Sequence, residues 1–377
     1  MHVLLVSPLN PRGFVKKSKL RFLNGESTYT EALLKNPPKG VEYTFYSDAL
    51  KKGWIKHTLW QKPLNWLIKF RVLPLSPQII CFKLRKNFDL VHSLGHGLKI
   101  SGNHPPVVLA DSSGNYQMVK GYMGWGEARI KVTYLIKRFV VKFLKLYDQE
   151  LNIKDARLIV WSEASKKDHI RFGIKENRII TIPPGLHKPL KMRKKIPSLF
   201  NILFIGTWFE RKGGNILLKV YEQLVKRYPG ISLTIVTNIP SNTKLPENTY
   251  HRDFLPRKEI FESLYPKGSV LVLVPPKAEG FGLTVLEAAS FGIPAIVSRV
   301  YALPEVVEDG KNGFLIKPGS IKELEKALEK LITNPELTAK MGREAKKKFL
   351  KHFWIKQTNK KLFKVYKEAF YNSKHRL

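Results

Sequence analysis

Val270-Leu271-Val272-Leu273-Val274-Pro275, followed by Ala278-Glu279-Gly280-Phe281-Gly282-Leu283-Thr284-Val285-Leu286-Glu287-Ala288-Ala289, decides the fold of this chain. The first run is apolar, short and closed by proline, which reads as a buried strand. A glycine-bearing loop follows, and then a helical pattern begins. Loop glycines let the backbone approach a ligand closely. A helix start presents free N–H groups and the positive end of a dipole, a ready anion site. Glu279 lies in the loop and Glu287 one turn into the helix. A place that holds phosphate and offers two carboxylates to sugar hydroxyls suits a nucleotide-sugar.

Working outward, strand-like and helix-like runs alternate along the whole chain, as in parallel α/β sheets. In the first half the expected strands are His2–Ser7, Val41–Tyr46, Leu90–Ser93, Pro106–Ala110, Leu158–Ser162 and Ile179–Pro183. In the second they are Ile202–Gly206, Ser232–Val236, Val270–Pro275, Ala295–Ser298 and Phe314–Ile316. Expected helices include Glu26–Leu34, Ile130–Tyr147, Lys212–Arg227, Leu283–Phe291 and Ile321–Ile332. The basic stretch His187–Lys195 interrupts the alternation and reads as a linker. The prediction is two doubly wound Rossmann-like domains facing a central cleft, with ligands beyond the carboxyl ends of the strands. Domain limits are expected at residues 1–187, 197–352 and a C-terminal helix 353–377, with residues 188–196 between the first two.

A second strand–glycine–helix passage opens the second half: Ile202-Leu203-Phe204-Ile205-Gly206, Thr207-Trp208-Phe209-Glu210, Arg211-Lys212-Gly213-Gly214. Together with the Glu-x7-Glu stretch and Leu303-Pro304-Glu305-Val306-Val307-Glu308-Asp309-Gly310, it resembles the group 1, or family 4, retaining glycosyltransferases of GT-B architecture. The resemblance is continuous over about residues 201–370 and patchier before. It implies a transferase that takes its sugar from a nucleotide-diphosphate sugar, with no further cofactor. By the same resemblance Gly206 approaches the pyrophosphate and Lys212 neutralises it. Backbone N–H groups from Gly280, Phe281, Gly282, Leu283 and Thr284 face the diphosphate. Glu287 accepts from the ribose hydroxyls and Glu279 from the donor sugar. Relatives usually carry arginine directly after the strand-end glycine, where this chain has Thr207. Arg211 is expected to supply the charge, since guanidinium groups grip phosphate bidentately. The run from Phe353 to Tyr366 resembles the family's last helix, which returns to the first domain.

The first half departs from the family pattern. Its loop after strand one has Gly25-Glu26-Ser27-Thr28, where Ser27 or Thr28 is expected as a plain helix cap. The Lys- and Arg-rich insertion Pro11–Leu23 is a candidate lining for the acceptor side. Where many relatives place a catalytic-site histidine, this chain has Asp111-Ser112-Ser113-Gly114-Asn115, making Asp111 the candidate substitute. His92 and His96 stay possible, although a strand-end histidine is more often structural. Ser162 is expected to cap the helix that follows it.

At 377 residues and 43% hydrophobic content, the chain can fill two proper cores. The formal net charge is +36, of which residues 1–195 hold 36 Lys+Arg against 13 Asp+Glu. Such a surface favours anionic partners. Between Ala49 and Phe88 there is no acidic residue, and nine basic ones interleave with Trp54, Trp60 and Trp66. This suits contact with an anionic membrane surface. A second basic stretch, Arg129–Tyr147, places Tyr134, Leu135, Phe139, Phe143 and Leu146 at helical spacing. Its expected apolar face is buried in its own domain. The acceptor expected from these features is a saccharide or lipid-linked saccharide at the cytoplasmic membrane face. No Asp-x-Asp and no zinc-spaced Cys/His pair occurs, so no metal site is expected. Cys81 alone fits a reducing compartment. Other readings are a sugar-nucleotide epimerase of the same shape, a sugar phosphorylase and a nucleic-acid-binding protein. The last is disfavoured by dispersed charge and the lack of a binding module.

Overall fold

The computed structural model describes residues 1–7, 25–63, 66, 79–95, 97–111, 120–121, 124–147, 157–187 and 199–374. The insertion before residue 24, residues 112–115, His96 and the linker at 188–196 therefore lie outside the described residues. The chain divides into two compact units. Among the described residues, 1–7, 29–185 and 355–374 belong to the first, and 25–28 with Leu186–Trp354 to the second.

The first unit carries strands β1 (His2–Val6), β2 (Glu42–Phe45), β3 (Ile55–His57), β4 (Ile79–Leu84), β5 (Leu90–Leu94), β6 (Gly97–Ser101), β7 (Val107–Asp111), β8 (Arg157–Val160) and β9 (Ile179–Thr181). Six of them form a parallel sheet in the order β2-β1-β5-β7-β8-β9. Every residue of β5 and β7 is buried. Coverage of both faces is why these strands read as continuous apolar runs and not as alternating ones.

The second unit holds β10 (Phe200–Ile205), β11 (Ile231–Val236), β12 (Thr249–Arg252), β13 (Val270–Leu273), β14 (Ala295–Ser298) and β15 (Gly313–Ile316). They form one parallel sheet in the order β12-β11-β10-β13-β14-β15. Its core joins Ile202, Phe204, Leu233, Val272 and Ile296 to Leu217, Tyr221, Leu224, Leu324 and Leu328 from two covering helices.

The α-helices of eight residues or more among the described residues are α1 (Gly25–Lys35), α2 (Glu127–Phe143), α3 (Glu163–Arg171), α4 (Gly214–Arg227), α5 (Leu283–Ser290), α6 (Ile321–Ile332), α7 (Pro335–Lys348) and α8 (Ile355–Lys374). In α6 the apolar residues Leu324, Ala327, Leu328 and Leu331 recur at helical spacing and are buried. Ser320 caps this helix by accepting from the Glu323 N–H at 3.2 Å. Ser162 does the same for α3, accepting from Ser165 N–H at 3.0 Å. Ser27 and Thr28 lie within the first turn of α1 instead of at its cap, because the helix already starts at Gly25.

Three features depart from the sequence reading. β12 was not expected, because a half-buried edge strand with burial alternating residue by residue leaves no apolar run to detect. The basic, tryptophan-bearing stretch supplies part of a small separate sheet, in which β4 pairs antiparallel with β3 and parallel with β6. Trp54 packs against the first unit's core. The ammonium groups of Lys86 and Lys52 stand 3.4 and 4.5 Å from its ring centroid. Part of the interleaved pattern is thus structural packing of cations on an aromatic face.

The third departure is α2. It buries only Ile130, Lys137 and Val141, while Val132, Leu135, Ile136, Phe139 and Phe143 face solvent. Of the five positions expected on a buried face, Leu146 is buried and Tyr134 stacks on Phe172, whereas Leu135, Phe139 and Phe143 are turned away from their own domain, opposite to the expectation. Periodicity reports that a helix has an apolar side; it does not report what that side meets.

Candidate active site

In the second unit β10 and β13 are neighbours at the point where strand order reverses. From β10 the chain continues to β11 and β12 on one side, and from β13 to β14 and β15 on the other. Open parallel sheets bind ligands beyond the carboxyl ends of two such strands. The segments leaving those two ends are the ones that carry Gly206 to Lys212 and Glu279 to Thr284.

Local geometry ties the two segments together. The Val274 N–H donates to the Lys212 carbonyl at 3.1 Å, and the Gly206 N–H to the Val236 carbonyl at 3.1 Å. Lys212 and Glu279 are both buried, and the ammonium donates to the carboxylate Oε2 at 2.9 Å. Gly206 lies against the lysine stem: a Cβ there would stand 2.7 Å from Lys212 Cδ. The missing side chain at position 206 is therefore what gives Lys212 its path across the strand end.

Burial by itself pushes the Glu279 carboxyl up. Lys212, then Arg211 and the Gly280 N–H, outweigh that effect and hold it below the usual carboxylate range. Glu287 differs. It sits on α5, buried, and burial raises it above the usual range despite the opposing Arg257 guanidinium and the Tyr265 hydroxyl. Tyr265 O–H donates to Glu287 Oε2 at 2.8 Å. Tyr265 in turn is stacked on Phe291, with ring centroids 5.2 Å apart. Two glutamates eight positions apart thus have opposite electrostatic settings, one balanced by a cation and one oriented by a phenol.

Between them, Gly282 takes a left-handed conformation at φ +76° as the residue preceding α5, and no side chain caps that helix. A left-handed turn there favours glycine. Glycine has no side-chain oxygen to occupy the first-turn amides of Leu283 and Thr284, so a phosphate can take that place. Phe281 is buried, 6.0 Å from the Phe353 ring centroid, and acts as the packing anchor of the loop. The structure therefore brings together Gly206, Lys212, Glu279, Gly280 and Gly282, with Arg211 close enough to act on Glu279 electrostatically. Arg257 and Tyr265, which flank Glu287, escaped sequence reasoning. Neither belongs to a motif, and both reach Glu287 through packing alone.

In the first unit, Asp111 ends β7 and is buried, with its Oδ2 3.2 Å from His169 Nε2 on α3. His169 Nδ1 pairs with the Ser165 carbonyl at 2.8 Å. His169 was not singled out from the sequence, where no spacing links it to Asp111. His92 is buried within the sheet, its Nδ1 2.6 Å from the Tyr366 hydroxyl of α8, and burial pushes its pKa down to about 3. It is a neutral packing histidine. Among the described residues no group of three or more His, Cys, Asp or Glu side chains is placed to hold a metal. No described helix is long and apolar enough to cross a membrane.

Residues 192–348 match the family model for glycosyl transferases group 1. An uncharacterized glycosyltransferase of Haemophilus influenzae is 32% identical over 204 residues, covering 52% of this chain and 54% of that protein. The chain thus spans about half the length of this curated relative. Sucrose-phosphate synthase of Thermosynechococcus elongatus superposes with TM-score 0.68 at 14% identity, over 99% of this chain and 100% of that one. Anabaena HepE, solved in complex with UDP-glucose, gives TM-score 0.62 at 15% identity, over 98% and 100%. At such identities the structural likeness speaks for fold alone. The fold is that of the α/β GT-B proteins with two Rossmann-like units, and the segment bearing Lys212, Glu279 and Glu287 is the part similar to group 1 glycosyltransferases.

Proposed function

We propose that this protein is a retaining glycosyltransferase. It moves a hexosyl group from a nucleotide-diphosphate sugar to a hydroxyl of a saccharide or lipid-linked saccharide in glycan synthesis. The observation that carries this reading is the buried Lys212–Glu279 pair, 2.9 Å apart, beside the uncapped start of α5 at the reversal point of the sheet. A ligand that needs both a cation and helix amides for phosphate, and carboxylates for hydroxyls, is a nucleotide-sugar.

In this reading the diphosphate lies on the first-turn amides of α5, with Lys212 and Arg211 balancing its charge. Glu287, held by Tyr265, accepts from the ribose hydroxyls, and Glu279 from the sugar. The acceptor oxygen attacks the anomeric carbon on the face that the diphosphate leaves, and the departing phosphate oxygen takes the acceptor's proton. Lys212 and Arg211 stabilise the charge that grows on the leaving oxygen, which is worth most where water is excluded. Asp111, backed by His169, is the proposed polar group of the first unit. HepE's UDP-glucose makes uridine nucleotide-sugars the first donors to try.

The test is transfer from UDP-, GDP- and ADP-sugars to a panel of saccharide acceptors. Glu279→Ala and Glu287→Ala should each lower transfer at least about tenfold, as loss of one positioned group does. Epimerised nucleotide-sugar in place of a glycosylated product would favour an epimerase instead.

A further inference from the structure

Among the described residues, large exposed apolar side chains are mostly scattered, which is ordinary for a protein surface. Five of them gather on α2: Val132, Leu135, Ile136, Phe139 and Phe143, at 55%, 66%, 50%, 71% and 75% exposure. Their spacing of i, i+3, i+4, i+7 and i+11 puts all five on one side of the helix. The Phe139 and Phe143 rings lie nearly parallel, at 9°, with centroids 6.2 Å apart. An outward apolar stripe of this extent marks an interaction surface.

Charge tells what it meets. Residues 128–147 contain six Lys and Arg and no acidic residue. Lys131, Arg138 and Lys142 are exposed along one border of the stripe, and Arg129 along the other. Glu127, at the helix start, is already paired with Lys120 and Arg171, each at 3.2 Å. A second copy of this chain would set the same cations against each other across the contact, with the helix's one carboxylate, Glu127, already paired. An anionic partner with an apolar interior matches both parts of the face.

We propose that the outward face of α2 lies on an anionic bilayer, its five apolar side chains in the acyl boundary and its bordering cations among acidic headgroups. An amphipathic helix with a basic border binds an interface in this way, by buried apolar area plus attraction to acidic lipid. The snorkelling stems of Lys and Arg let the charges stay at headgroup level while the rings go deeper. This moves the membrane contact away from the stretch around Trp54, and it stands whether or not the protein transfers sugars.

Flotation with vesicles of phosphatidylcholine alone, or mixed with phosphatidylglycerol, tests it. The wild-type chain should float with the anionic vesicles and lose that binding in high salt. The double variant Leu135→Glu/Phe139→Glu should bind at least about tenfold more weakly, since it removes two anchors and adds two like charges to the lipid. Trp60→Ala/Trp66→Ala should bind nearly as wild type. Both positions in the first variant are solvent-facing, so its melting temperature and its thermal shift with UDP should match wild type. Amide exchange on the unaltered chain gives a second readout, with residues 128–143 exchanging more slowly when anionic vesicles are added than with phosphatidylcholine vesicles or none. Equal flotation of the Leu135→Glu/Phe139→Glu variant overturns the proposal. So does exchange over α2 that anionic vesicles leave unchanged, or a dimer that this variant dissociates.

Discussion

Breaking the Lys212–Glu279 pair one side at a time, and then together, gives the sharpest measurement of the candidate site. At 2.9 Å the attraction is about 6 kcal/mol for an effective dielectric of 20. Both groups are buried, so desolvation offsets much of that gain, and removing one partner from such a pair typically costs about 3–5 kcal/mol. Glu279→Ala leaves a buried ammonium without its carboxylate and should sit at the upper end. Lys212→Ala leaves a carboxylate that still has Arg211 and the Gly280 N–H, and should sit at the lower end. The double variant removes both charges, so it should be markedly less destabilised than the sum of the singles. We expect a coupling energy of about 2 kcal/mol, within the range for residues in direct contact. For a unit of this size about 3 kcal/mol is a fall in melting temperature of roughly 6–12 °C. Guanidinium denaturation of the four proteins at neutral pH, monitored in the second unit, supplies the cycle. Additive singles, with coupling below about 0.5 kcal/mol, would show that the two side chains do not act as a buried pair.

Other outcomes follow from the same geometry. Because the Glu279 carboxyl is held low in the folded state, it contributes stability present above the unfolded value near 4.5 and lost as pH falls through its folded value. Glu279→Gln should therefore flatten the acid limb of the stability curve, read by denaturation between neutral pH and the acid transition. Glu287 is raised, so its contribution is full below about 4.5 and lost as pH rises through the folded value; Glu287→Gln should remove a loss of stability on that rising side. Gly213→Ala meets a left-handed φ of +88° and a Cβ only 2.2 Å from the Val274 carbonyl oxygen, and should cost more than about 2 kcal/mol in chemical denaturation. His92, with its pKa near 3, gives stability present above 6.5 that is lost as pH falls from 6.5 toward 3. His92→Gln should be less stable at neutral pH yet show a shallower decline over that interval.

Much of the second unit was legible because its central strands β13 and β14 are buried on both faces. Val270–Leu273 shows as an unbroken apolar run, and the glycines after it carry positional meaning. Gly206 and Gly282 could be singled out since each marks a place where the backbone must stand close to something or turn left-handed. Arg257 and Tyr265 could not, because a phenol that orients a carboxylate from outside the motif has no fixed sequence offset. In the first unit, Asp111 was located by its strand, but His169, which faces it, arrives from another helix. Around α2 the inward packing of Tyr134 and Leu146 was legible, but the outward turn of Leu135, Phe139 and Phe143 was not. Helical periodicity is the same whether the apolar side is packed inward or left outward, and only tertiary structure separates the two.

The first unit is not continuous in sequence: its last piece, α8, follows the entire second unit. Leu362, Val365 and Tyr366 on that helix are buried, and Tyr366 meets both His92 and the Tyr43 hydroxyl, the latter at 2.9 Å. During synthesis the ribosome releases all of Leu186–Trp354 before α8 emerges. The later half can therefore mature on its own schedule, while the earlier half waits half-built with an open seat over His92. That nascent intermediate, rather than the finished protein, is where chaperones would be needed and where truncation near Ile355 would do its damage.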